Sequence, residues 1–258
     1  MKIDFKKYSS IKIGGVFDIE IINQKCDFNG IIIGGANNIL KSNKNIKMGI
    51  LGRNFDFINI IDKNDKFVIL NIGCATKSNK IYNFAKKNNI KGFEFLNKIP
   101  GTLGGILKMN AGLKDENISK NLLNINIYNK NISKTNIIFN YRFCNIIDII
   151  FDATFKLEIG FDFKKDEILN QIRQNQPNGA SFGSIFKNPK DNFAAKLIED
   201  VGLKGYKYNG AMISDKHANF LINYDNATFE DAIFIIKLAQ KRVFEKFNIK
   251  LEKEVIIL

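Results

Sequence analysis

IPGTLGGILKMNAG, Ile99–Gly112, carries glycine at 101, 104, 105 and 112 together with Thr102 and Asn110. Glycine reaches backbone conformations closed to other residues and lets a main chain approach another surface closely. Two readings stay open for so permissive a run: a structural crossover, or a chain wrapped against a large flat cofactor with hydroxyl and amide groups at its edges. Pro100 fixes φ at the entry. The whole chain of 258 residues has only two other prolines, Pro177 and Pro189. The Gly104–Gly105 pair is read as a turn.

Upstream, IIIGGANNIL (Ile31–Leu40) sets a glycine pair directly after an apolar run. Consecutive backbone N–H groups at Gly34, Gly35, Ala36, Asn37 and Asn38 would form a nest for a pyrophosphate; a plain hairpin turn is the alternative. The spacing is not GxGxxG and no helix clearly follows, so this is not a dinucleotide-binding fingerprint. The surrounding first half reads as short strands, at Asp18–Asn23, Gly30–Ile33, Phe67–Ile72 and Leu122–Tyr128. One helix interrupts them, with Ser78 as its N-cap and its end near Asn88–Asn89.

Downstream the pattern changes. A charged helix over Asp162–Gln176 would join two domains, and helices follow over Asp191–Val201, stopped by Gly202, and from Thr228 to Phe247. Thr228 with Asp231 matches a capping box. The closing LEKEVIIL reads as a strand, with Glu252 and Glu254 on one face, roughly 7 Å apart, and Leu251, Lys253 and Val255 on the other.

Four places carry candidate chemistry. In ASFGSIFKNP (Ala180–Pro189), Ser184 sits on a tight glycine turn where a hydroxyl can donate a proton, and Lys187 and Asn188 follow within reach of a phosphate. A polar turn before a helix is the plainer reading, and the sequence is not GxSxG, which disfavours a hydrolase. In NYRFC, Arg142 lies amid Phe139, Tyr141 and Phe143, either stacked on aromatics or held for an anion. Glu254 is a paired-face carboxylate or a solvated edge. His217, the single histidine, reads as structural.

Composition narrows the class. Three cysteines far apart (Cys26, Cys74, Cys144) and one histidine exclude zinc, iron–sulfur and disulfide scaffolds, so no metal is expected and any redox chemistry must come from an organic cofactor. The net charge of +13 suits polyanionic ligands, but the lysines are scattered among Asn and Ile, as in a compositionally biased proteome. No nucleic-acid module is recognisable. No apolar run is long enough to span a bilayer and the N-terminus lacks a signal-peptide core, so the expectation is a cytoplasmic protein without membrane insertion.

Taken in order, IKIGG, IIIGGANNIL, GFEFLNKIPGTLGGILKMNAG, NYRFC, GSIFKNP, AAKLIEDVGLKG, ISDKHANFLIN and LEKEV cover nearly the full chain. In that order they resemble the UDP-N-acetylenolpyruvoylglucosamine reductases, also called UDP-N-acetylmuramate dehydrogenases. IPGTLGG, GSIFKNP and GLKG are specific to that family, whereas GGANN is shared with other flavin enzymes of the vanillyl-alcohol-oxidase type. There are departures: GGANN stands for a usual GGGSN, Ile106 for alanine, and Lys253 for the proline of LEPEV. The 42-residue spacing from Arg142 to Ser184 resembles the subgroup lacking a substrate-clamping insertion.

The resemblance implies an α+β fold. Residues 1–160 would form a two-part FAD-binding half of the vanillyl-alcohol-oxidase/PCMH type, split near residue 54. Residues 161–258 would form an α/β substrate-binding domain whose last strand returns to the active site. It implies non-covalent FAD, held by Gly34, Gly35, Ala36, Asn37, Asn38, Pro100, Gly101, Thr102, Gly104, Gly105, Asn110 and Gly112, with NADPH as reductant. The substrate would be UDP-N-acetylglucosamine enolpyruvate, met by Lys187 and Asn188 and reduced to UDP-N-acetylmuramate for peptidoglycan. Arg142, Ser184 and Glu254 would be catalytic, with Ser184 giving the proton, and the protein would act as a monomer without nucleic acid. Two alternatives are another flavin oxidoreductase of the same type acting on a different small substrate, and a basic polyanion-binding protein.

Overall fold

A computed structural model describes residues 1–172 and 176–258. The chain divides into two compact units that are each discontinuous in sequence. One comprises Met1, Ile19–Gly35 and Lys47–Gln174; the other comprises Lys2–Asp18, Ala36–Ile46 and Asn175–Leu258.

The first unit is built on an antiparallel sheet in the order Lys130–Ser133, Leu122–Ile127, Asp152–Ile159, Phe67–Gly73, Ile58–Lys63, with Ile90–Lys91 added beside Asp152–Ile159. Val68, Leu70 and Ile72 alternate into the core, the period-two pattern of a strand with one face packed. The Ser78–Lys87 helix covers that face with Ile81, Tyr82 and Ala85. A separate parallel sheet, Glu20–Ile22 and Ile31–Ile32 flanking Met48–Leu51, precedes it in the chain. Residue 54, where the sequence reading divides this half, falls between the two sheets.

In the second unit Lys207–Tyr208, Ala211–Ile213 and Leu221–Asn223 form an antiparallel sheet. Its core gathers the apolar faces of the Ala194–Asp200 and Phe229–Phe247 helices with Phe182, Ile185 and Phe186. Ile11, Ile13 and Leu40 are buried in the same cluster. That burial is why Lys2–Asp18 and Ala36–Ile46 belong with the C-terminal residues, where the sequence reading draws one cut at 160/161.

Several elements differ from the sequence expectations. Ser78 is not an N-cap but the first helical residue, after Lys77; its N–H donates to Gly101 O at 2.9 Å. Gly104–Gly105 is not a turn but lies inside the short Leu103–Lys108 helix, where Gly104 packs on Cys74. The charged helix runs Phe163–Ile172 and is fixed to the first unit, with Tyr82 Oη and Lys86 Nζ donating to buried Asp166 at 2.8 and 3.2 Å. The remainder of that expected helix at 173–175, with Arg173, lies outside the described residues. In LEKEVIIL only Ile256–Ile257 is a regular strand, and Lys253 is exposed, not turned inward beside Leu251 and Val255. Among the described residues no helix is long and apolar enough to cross a membrane.

The segment bearing Ser184 is held by Asn219, a buried residue the sequence reading passes over. Its Oδ1 accepts from Phe186 N–H at 3.0 Å and its Nδ2 donates to Phe186 O at 2.8 Å. Removing that amide strands two main-chain groups away from water, so Asn219→Ala should cost about 2–3 kcal/mol. The Thr228 hydroxyl accepts from Asp231 N–H while the Asp231 carboxylate accepts from Thr228 N–H. Thr228→Ala should therefore cost about 1 kcal/mol. Urea unfolding followed by circular dichroism measures both, and a loss at Thr228 equal to that at Asn219 would contradict the ranking.

Candidate active site

In the first unit the two glycine-rich stretches touch. A Cβ at Gly34 would lie 2.5 Å from Thr102 Oγ1, so the bare backbone there is required by the approach of the Ile99–Gly112 loop. That loop is stitched to the segment Cys74–Ser78: Leu103 N–H donates to Thr76 O and Gly104 N–H to Cys74 O, at 2.9 and 3.0 Å. Gly101 has φ +120°, closed to most side chains. Pro100 and Gly105 are exposed and Gly35, Gly101 and Thr102 half-buried, so this edge is open to solvent. Ile106 points into the core, which accounts for a large apolar residue at that place.

Asn110 closes the helix in a left-handed conformation, φ +40°, and is buried. Its Nδ2 donates to Asn140 O at 3.1 Å, while its Oδ1 is a buried acceptor with no partner among the described residues. Gly112 starts a small hairpin with Glu116–Asn117, and a Cβ there would meet Glu116 O at 2.0 Å, so hairpin closure explains this glycine. Arg142 stands at the tip of the Phe139–Asn140/Phe143–Cys144 hairpin with φ +57°, its guanidinium 5.0 Å from the Tyr141 ring. Lys108 Nζ donates to Ile146 O and Asp148 O just beyond that hairpin, and its burial lowers its pKa.

The second unit brings three motifs together. Glu254 N–H donates to Ile185 O at 2.9 Å, and Phe186 bridges Lys253, so LEKEV lies along GSIFK. On the other side Ile256–Ile257 pairs in parallel with Ile39–Leu40 of IIIGGANNIL. The N-terminal Ser10 joins the loops as well: its N–H and hydroxyl donate to Ala36 O and Asn37 O, and its carbonyl accepts from Ser181 N–H. Ala36 is buried with φ +47°. Asn38 Nδ2 donates to Glu254 O at 2.9 Å.

Ser184 is half-buried and follows Gly183, whose φ of +86° borders open space. Its hydroxyl has no hydrogen-bond partner among the described residues. Lys187 is tied twice to Glu252, through its N–H to Glu252 O and through Nζ to Oε1 at 2.6 Å. Asn188 Oδ1 accepts from Ala194 N–H at the start of the Ala194–Asp200 helix. His217 accepts at Nδ1 from Asn219 N–H, and burial pushes its pKa down, which fits a neutral structural imidazole.

Gly34, Gly35, Pro100, Gly101, Thr102, Gly104, Gly105, Asn110, Gly112 and Arg142 thus belong to the first unit. Ala36, Asn37, Asn38, Ser184, Lys187, Asn188 and Glu254 belong to the second. Among the described residues no group of three or more His, Cys, Asp or Glu side chains is arranged to hold a metal ion. Cys74 is fully buried, which raises its pKa and makes it a poor nucleophile.

Residues 174–258 match a family described as UDP-N-acetylenolpyruvoylglucosamine reductase, C-terminal domain. The UDP-N-acetylenolpyruvoylglucosamine reductase of Campylobacter jejuni (strain RM1221) is 62% identical over 258 residues, covering 100% of both chains. The protein of that name from Helicobacter hepaticus is 43% identical, covering 99% of this chain and 98% of its own. A crystal structure of UDP-N-acetylenolpyruvylglucosamine reductase from Thermus caldophilus shares the fold, with a TM-score of 0.86 at 24% identity over 100% of this chain and 98% of that one. The chain belongs to the UDP-N-acetylenolpyruvoylglucosamine reductase family.

Proposed function

We propose that the protein reduces UDP-N-acetylglucosamine enolpyruvate to UDP-N-acetylmuramate for peptidoglycan synthesis, acting in the cytoplasm with non-covalent FAD and with NADPH as reductant. The observation that carries this reading is an end-to-end match at 62% identity with a reductase, in which neither chain has a portion uncovered.

The residues present fit a flavin. The first unit is assigned as the FAD-binding half of the vanillyl-alcohol-oxidase/PCMH type. Bare glycine backbone at Gly34 lets the Ile99–Gly112 loop approach closely through Thr102, which keeps the two glycine-rich stretches side by side at an open edge. Among the described residues Asn110 Oδ1 is an acceptor lacking a donor, which a ring N–H of a ligand would supply. Gly35, Ala36, Asn37, Asn38, Pro100, Gly101, Gly104, Gly105 and Gly112 complete the proposed set. When bound, the flavin supplies the hydride that adds to the carbon of the enolpyruvyl C=C distal to the carboxylate.

The chain's own residues then handle charge and proton. Negative charge develops on the adjacent carbon and its carboxylate, and a fixed cation or a hydrogen-bond donor aimed there lowers the barrier. Arg142 is assigned that task, its guanidinium carried on a hairpin and flanked by Tyr141. Glu254, in a suitable protonation state, assists it. Ser184 gives its hydroxyl proton to the carbon that becomes a stereocentre, and a fixed donor makes one face the only source. Lys187 and Asn188 are assigned to the sugar nucleotide.

The purified protein should be yellow and should oxidise NADPH only when UDP-N-acetylglucosamine enolpyruvate is present. NADPH consumption independent of that substrate would remove the assignment. Ser184→Ala should leave reduction of the flavin by NADPH intact and slow its reoxidation by substrate at least ~10²-fold. Equal slowing of both half-reactions would exclude the proton-donor role. Gly34→Ala forces a Cβ against Thr102 Oγ1 and should weaken flavin retention roughly tenfold. Adding Thr102→Ala should restore part of it, and a fully flavin-loaded Gly34→Ala protein would count against this edge as the cofactor site.

A further inference from the structure

We propose that Asn38 is a positioning residue for Glu254, its side-chain amide fixing the peptide from which that carboxyl projects. The inference rests on the role given to Glu254 above. Asn38 and Glu254 are 216 residues apart in sequence, yet Asn38 Nδ2 donates to Glu254 O at 2.9 Å in a part-buried setting. The neighbouring main chain reinforces the contact, with Ile256 N–H donating to Asn38 O at 3.0 Å.

The need for such a clasp follows from the local structure. Glu254 lies outside any regular strand: only Ile256–Ile257 is paired as one, and Lys253 makes an isolated bridge. Lys253 leaves its own φ free, as a proline there would not. Leu251 and Val255 anchor the flanks by burial, and Glu254 N–H is held by Ile185 O at 2.9 Å. The Asn38 amide grips the opposite end of the same residue. With both peptide ends fixed, the side chain starts from one backbone position, which is what aiming a carboxyl at a reacting atom requires. Asn38 is also the last residue of GGANN, so the loop proposed to meet the cofactor directly sets the placement of a carboxyl proposed to act on substrate.

Asparagine is required by this geometry, because an isosteric aspartate would face the Glu254 carbonyl with a carboxylate and no donor. Two readouts test the proposal. In hydrogen exchange, Asn38→Ala and Asn38→Asp should both speed exchange of the Glu254–Leu258 amides at least ~10-fold while the Phe229–Phe247 helix keeps its protection, a control that separates local release from unfolding. In single-turnover kinetics, each variant should slow reoxidation of the reduced flavin by substrate at least ~10-fold more than it slows reduction by NADPH. The Asn38→Ala/Glu254→Gln double variant should lie within about twofold of Glu254→Gln alone, since both changes remove one function.

Unchanged tail exchange in Asn38→Asp overturns the clasp, whatever Glu254 does. Additive losses in the double variant, or equal slowing of both half-reactions, overturn the positioning role. A Glu254→Gln protein that reoxidises at the wild-type rate also overturns it, by removing the task Asn38 serves, and the exchange data then identify that failure as one of the Glu254 assignment.

Discussion

The arrangement of the second unit depends on backbone hydrogen bonds to its last residues. Lys187 N–H reaches Glu252 O, Glu254 N–H reaches Ile185 O, Ile256 N–H reaches Asn38 O, Leu258 N–H reaches Leu40 O, and Ser42 N–H reaches Leu258 O. The tail thus lies between a strand-like segment from residues 184–187 and one from residues 38–42. Buried main-chain donors and acceptors must be paired, so a shift of the tail by one residue would break this set and turn Leu251 and Val255 out of the core. Register is therefore fixed by both polar and apolar terms, and the positions of Ser184, Lys187 and Glu254 relative to one another follow from it.

That constraint also explains why the N-terminal residues join the C-terminal core. Ile11, Ile13 and Leu40 are at most 1% exposed, and all three pack with residues such as Phe186, Val243 and Leu251. Burying such side chains is worth about 1.5–3 kcal/mol each, enough to hold a short segment that has little secondary structure of its own. The chain runs from one unit to the other within GGANN, between Gly35 and Ala36. Ala36, the first residue beyond that boundary, takes a left-handed φ of +47°.

Much of this was legible in the sequence where the signal is local. The Thr228 capping box, the apolar stripe to Phe247 and the Gly202 stop, with φ +72°, all depend on residues within a few positions of one another. The motif order carried the family because it samples the whole chain. Non-local matters were not legible. Period-two isoleucines in IKIGG mark a buried face but not which core buries it. Gly104–Gly105 suggested a turn because glycine disfavours helix interiors, yet packing of Gly104 against Cys74 overrides that preference. Asn219 stood between Ala218 and the apolar Phe220, Leu221 and Ile222, and a polar residue so flanked was a sign of a buried amide with main-chain partners. Lys187 was read as placed to meet a phosphate, and its pairing with Glu252, 65 residues away, needed the structure.

Serine is a weak acid, so the role proposed for Ser184 places the burden on geometry. The segment supplies it from both sides. Gly183 takes a left-handed conformation that a side chain would resist, and Ile185 is paired through its N–H to Asn219 O and through its carbonyl to Glu254 N–H. Phe186 is fixed by the Asn219 amide and by full burial of its ring. Ser184 therefore sits on a backbone whose freedom is already lost on folding, and its hydroxyl keeps its donor uncommitted among the described residues. A donor held this way loses little further entropy when a substrate carbon arrives, and that saving is what a poorly acidic group needs to compete with water as the proton source.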